Sequence, residues 1–120
     1  VEVLPRPFGG LPAGGRLFIA TPPLVRDWIR KIPKGQTMAA AELRQRLAEE
    51  FDADRTCPTS LGISLRIVAE AACDELEAGR PASQVAPFWR VIGPEDALAQ
   101  KLRCGPDFLR RQRRAEGIAS

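Results

Sequence analysis

Apolar residues recur at helical spacing in three stretches of the chain. Leu24, Val25, Trp28, Ile29 and Ile32 form the first stripe, opened by Thr21 and Pro22-Pro23 and stopped by Pro33 and Gly35. Prolines fit a first helical turn because its N–H groups have no helical partner, and Thr is a favoured cap. Leu43, Leu47 and Phe51, at i, i+4 and i+8 with charge opposite, predict a second helix over Ala39–Phe51. A third runs from about Ile63 to Ala78, capped by Thr59 or Ser60 and ended by Gly79 and Pro81. The polar connection Asp52 to Gly62 makes the last two helices a helix-turn-helix pattern. Unrolled at about 100° per residue, the third helix puts Arg66, Glu70, Cys73, Asp74 and Glu77 on a polar face. Leu65, Val68, Ala71, Ala72 and Leu76 share the opposite face, with Glu75 in their midst. A carboxylate in that place needs a partner or must be held neutral.

Beyond the third helix the pattern changes. Val85–Ile92 reads as a buried strand, closed by Gly93-Pro94, in which Pro87, Phe88, Trp89 and Arg90 stand side by side. An arginine in a core strand requires a partner or an exit to solvent. Ala97–Arg103 is ambiguous, and Pro106–Glu116 predicts a closing helix stopped by Gly117. Residues 1–20, rich in Pro and Gly, read as an irregular arm with a short strand at Leu17–Ala20. The expected fold is therefore mainly α with a small β component: one domain, 21–120, behind an arm. Its predicted core includes Leu43, Leu47, Val68, Leu76, Val91 and Ile92.

Composition narrows the chemistry. With 120 residues, 44% hydrophobic and 28% charged, the chain can build a core without metal or disulfides. No apolar run approaches a membrane span and no signal peptide is evident, so the expected compartment is the cytoplasm. Three widely spaced cysteines, Cys57, Cys73 and Cys104, fit a reducing environment better than a disulfide framework. The absence of histidine removes Cys–His and Ser–His–Asp catalysis, and no metal-ligand spacing is present. No metal and no cofactor is expected. The net charge of +3 is small but uneven: Arg26–Lys34 and Lys101–Arg114 are basic, whereas Glu42–Glu77 is acidic. Basic ends on an acidic domain suit either a nucleic-acid footprint or ordinary solvated helix faces.

Four ordered landmarks resemble the DNA-binding domain of the alkylguanine-DNA alkyltransferases. They are Ile32-Pro33-Lys34-Gly35-Gln36-Thr37, Arg66–Ala71, Pro87–Ile92 and Glu116-Gly117. The resemblance implies a winged helix-turn-helix like that family's C-terminal domain. The family's signature Pro-Cys-His-Arg-Val-Ile/Val is matched at Pro87, Arg90, Val91 and Ile92, but Phe88 stands at the cysteine and Trp89 at the histidine. Ala40 stands where the family has a tyrosine that helps rotate the nucleotide outward. A thioether cannot form on Phe88. The chain resembles most in kind the alkyltransferase-like proteins, which have tryptophan in place of the cysteine, keep the histidine and bind damaged DNA without repairing it. It departs from the family further than they do.

The resemblance places a stack-entering arginine at Arg66 and a glutamate that orients the family's histidine at Glu116. Its supporting asparagine falls on Glu75. We therefore expect Glu75 and Glu116 to accept hydrogen bonds from Trp89 and Arg90, with Glu75 the more buried acid. Candidate DNA contacts are Arg66, Lys34, Arg110 and Arg111, and the pocket comprises Phe88, Trp89, Arg90, Glu75, Glu116 and Cys104. Cys104, between Lys101 and Arg103 and the closing helix, is either an ordinary surface thiol or a relocated nucleophile. Three functions stay open: a non-catalytic binder of double-stranded DNA that senses damaged bases, a protein-interaction domain on the same scaffold, and an alkyl acceptor at Cys104.

Overall fold

The computed structural model describes residues 2–3 and 14–118 and shows a mainly helical chain with a small sheet. Strands β1 (Glu2–Val3), β2 (Arg16–Phe18) and β3 (Arg55–Thr56) lie in that spatial order, β1 antiparallel and β3 parallel to β2. The helices are α1 (Pro22–Arg30), α2 (Ala40–Glu50), α3 (Pro58–Glu77), α4 (Ala97–Lys101) and α5 (Gly105–Ala115). None of them is long and apolar enough to cross a membrane. The arm call at residues 4–13 lies outside the described residues.

Helix α3 is the axis of the molecule. Leu61, Leu65 and Val68 pack with Val25 and Ile29 of α1 and Leu43 and Leu47 of α2. Ala69, Ala72 and Cys73, further along, pack with Phe88, Trp89, Ile92 and Leu109. Five of the six predicted core residues are buried, and Leu76 is half-buried. The helix starts more than a turn earlier than its apolar pattern suggests. Pro58 opens it, and Cys57 caps it by accepting the Ser60 N–H on Sγ at 3.4 Å, so neither Thr59 nor Ser60 is the cap. It ends in a Schellman motif: Gly79, at φ 96°, donates to Leu76 O, and Arg80 donates to Glu75 O.

The phase of α3 also differs from the expected one. Cys73 is buried and Ala71 exposed, so the buried face is rotated toward Ala69 and Cys73, carrying Glu75 to the margin. Alanine and cysteine fit either face, which is why the pattern misassigned them.

Val85–Ile92 is buried but is not a strand. Pro87, at φ −78° and ψ 66°, makes a tight reversal in which Phe88 N–H reaches Ala86 O at 2.8 Å. A 3-10 turn over Phe88–Arg90 follows, with Arg90 N–H on Pro87 O and Val91 N–H on Phe88 O. Phe88, Arg90, Val91 and Ile92 thus donate within the segment, while Arg90 O accepts the Met38 N–H and Trp89 O accepts from the Arg113 side chain, so no neighbouring strand is needed. Among the described residues no strand follows Thr56, so the wing that the resemblance implies is not seen there, and the ambiguous segment Ala97–Arg103 begins with the short helix α4.

The cysteine reading is corrected as well. Cys73 and Cys104 form a disulfide, which joins the C-terminal part of α3 to the start of α5. Cys57 is the free cysteine, and it is buried.

Candidate functional site

Glu116 caps the C-terminus of α5 and turns its carboxylate inward. Trp89 Nε1–H donates to Oε2 at 2.8 Å, and Arg90 donates Nε–H to Oε1 and Nη2–H to Oε2, both at 2.9 Å. Gly35 N–H approaches Oε1 at 3.3 Å. Every acceptor direction of the carboxylate is therefore occupied, and the Arg90 fork meets it bidentately. Arg90 also donates Nη1–H to Ile32 O at 2.7 Å, satisfying a carbonyl beyond the end of α1. The Arg90 and Glu116 side chains are only 13% and 7% exposed. Burial by itself would raise the Glu116 carboxyl; the hydrogen bonds from Arg90, Trp89 and Gly35, with the Arg90 charge, outweigh it and hold the group below its ordinary range.

Gly35 makes this approach feasible. Its φ is 85°, and a Cβ there would lie 3.4 Å from the Glu116 carbonyl oxygen. Behind the carboxylate, Phe88 stacks on Phe108 and meets Trp89 edge-on at 5.4 Å between centroids. Arg113, lowered from its ordinary value by burial against the opposing pull of Asp96, donates Nε–H to Trp89 O at 2.8 Å. The hub borders a cleft of about 510 Å³ whose lining includes Arg30, Lys34, Gln84, Trp89, Arg90 and Glu116.

The candidate residues divide among several places. Trp89, Arg90 and Glu116 meet as expected, with Lys34 on the same cleft. Phe88 is fully buried and fills core volume. Glu75 does not join them: its side chain is 38% exposed and pairs with Arg80 at 3.4 Å, so its assignment as the more buried acid is wrong. Its supporting role followed from the α3 phase that the structure rotates. Cys104 holds its sulfur in the disulfide and offers no thiolate in this state. Arg110 is engaged by Asp107 at 2.7 Å and by Glu95 at 3.5 Å, whereas Arg111 is exposed on α5.

Arg66 is exposed and makes no ion pair with Glu70. Instead, Glu70 accepts the Arg103 backbone N–H at 3.0 Å, while the Arg103 guanidinium contacts Asp74 and reaches Glu77 at 2.7 Å. One arginine from the α4–α5 connection thus clasps three carboxylates of α3. Sequence reasoning missed Arg103, whose only signal was its place beside Cys104. The solvent face of α3 is consequently split. Its first half presents Ile63, Arg66 and Ile67 without an acid, Ile63 and Ile67 being 57% and 48% exposed. Its second half carries the clasped acids.

No protein-family model matches the chain, and neither a curated protein nor a solved structure does. Among the described residues no cluster of His, Cys, Asp or Glu is arranged to hold a metal ion.

Proposed function

We propose that the chain is a non-catalytic DNA-binding domain of helix-turn-helix type, akin to the alkyltransferase-like proteins and suited to sensing damaged bases in a duplex. The observation that carries this reading is the divided face of α3. Acids on a recognition helix repel phosphate, but here Glu70, Asp74 and Glu77 are engaged by Arg103, and Arg66, one turn before Glu70, is exposed on the half of the helix that carries no acid of its own. Supporting it from a second direction, Glu116 engages the residue at the family's histidine position, as the resemblance leads one to expect. The residues assigned to DNA are Arg66, with Lys34 and Arg111 as outlying phosphate contacts; Arg110, occupied by two acids, contributes less.

The test is fluorescence anisotropy of a labelled duplex, with and without an alkylated guanine, across a salt series. Affinity should fall steeply with salt, and Arg66→Ala should weaken binding and reduce any preference for the damaged duplex. A protein-interaction domain is the second reading, favoured by the exposed Ile63 and Ile67. Absence of binding at low salt, or indifference to Arg66→Ala, would transfer the assignment to it.

A further inference from the structure

We propose that Cys104 is a thiol–disulfide exchange site, and that the Cys73–Cys104 bond is a reversible latch setting the charge that α3 presents. The bond closes a segment with a sequence separation of 31 and fixes the residue beside Arg103. Arg103 makes all of its side-chain contacts to α3 carboxylates and donates its backbone N–H to a third. The clasp is half-exposed, where an isolated ion pair holds poorly, so the adjacent covalent tie is what keeps it in place. Cys73 is fully buried and Cys104 half-buried, which directs an incoming thiol to the Cys104 sulfur. An odd, widely spaced set of cysteines in a chain with a large core is also unlike a structural disulfide framework, and suits a bond that forms and breaks.

The co-reactant is a low-molecular-weight thiol or dithiol. Its thiolate attacks Cys104 Sγ, breaking the S–S bond and forming a mixed disulfide, and the Cys73 thiolate leaves and takes up the proton the attacker gave up. A second thiolate attacks the attacker's sulfur, releasing Cys104, which is protonated in turn. Two electrons reach the protein, and two thiols become one disulfide. With the bond open, the 102–105 segment is no longer tethered to α3, and Glu70, Asp74 and Glu77 lose their clasp. The effect on DNA rests on the function proposed above: the reduced protein should bind duplex more weakly, on the order of fivefold.

Protein purified without reductant is treated with N-ethylmaleimide, then again after dithiothreitol, and followed by peptide mass mapping and hydrogen exchange. Labelling of Cys104 is expected only after reduction, together with faster exchange over residues 97–105. Arg103→Gln should weaken DNA binding without reduction and make it insensitive to dithiothreitol. Labelling of Cys73 or Cys104 before reduction, or unchanged exchange after it, would overturn the latch; labelling of the free Cys57 does not bear on it. If exchange rises but DNA affinity stays constant, the control of α3 charge is wrong. If neither redox form binds DNA, the DNA reading fails, and the labelling and exchange results alone decide the latch.

Discussion

Removing the Glu116 carboxylate is the sharpest perturbation available. Glu116→Ala leaves the Arg90 guanidinium, 13% exposed, facing a void where its countercharge stood, and leaves Trp89 Nε1–H without an acceptor. Breaking a buried pair from one side costs about 3–5 kcal/mol. Against a total stability of about 5–15 kcal/mol, that is enough to bring a small domain near its threshold. Glu116→Gln keeps the shape and one acceptor oxygen but turns an amide NH₂ toward the Arg90 and Trp89 donors, for a smaller loss of about 1–3 kcal/mol. Urea unfolding followed by tryptophan fluorescence measures both, since Trp89 is buried against the site. The carboxyl of Glu116 lies below its ordinary value of 4.5 in the folded protein. A depressed pKa means that the unfolded chain binds the proton more tightly, so this contribution is present above about pH 4.5 and is lost as pH falls through the folded value. Glu116→Gln should lack that part of the acid dependence. An alanine variant that loses less than about 1 kcal/mol, or a glutamine variant with the parent's acid profile, would refute the hub as a structural centre.

Other expectations follow from the same geometry. Cys104→Ser, or reduction of the parent, should lower stability by about 3–4 kcal/mol from the loop released, read as a fall in the urea midpoint. Phe88→Ala should cost about 3–5 kcal/mol, because a fully buried ring in contact with Trp89 and Phe108 leaves a cavity. Gly35→Ala forces a side chain into a left-handed backbone against the Glu116 carbonyl and should cost about 1–2 kcal/mol by thermal unfolding. Glu75→Ala should change stability by less than about 1 kcal/mol, since its partner Arg80 is also exposed.

The apolar stripes by themselves determined where α1 and α2 lie, and which of their residues, such as Ile29, Leu43 and Leu47, enter the core. Pro and Gly marked the ends because they restrict or free the backbone locally, and local restriction is readable from local sequence. The same information could not phase α3, where Ala69, Ala71, Ala72 and Cys73 fit either face; neighbouring elements decided that, and with it the position of Glu75. It could not distinguish a buried strand from a buried turn at Val85–Ile92, because both place apolar residues inside and differ only in where the backbone hydrogen bonds go. The resemblance, not the periodicity, pointed to Glu116 as an acceptor for Trp89 and Arg90. The meeting of Gly35 with Glu116, Cys73 with Cys104, and Arg103 with three acids of α3 belongs to the tertiary structure alone. Those residues carry no mutual periodicity; they are neighbours because the hydrophobic packing of α3 against its surroundings brings distant parts of the chain together.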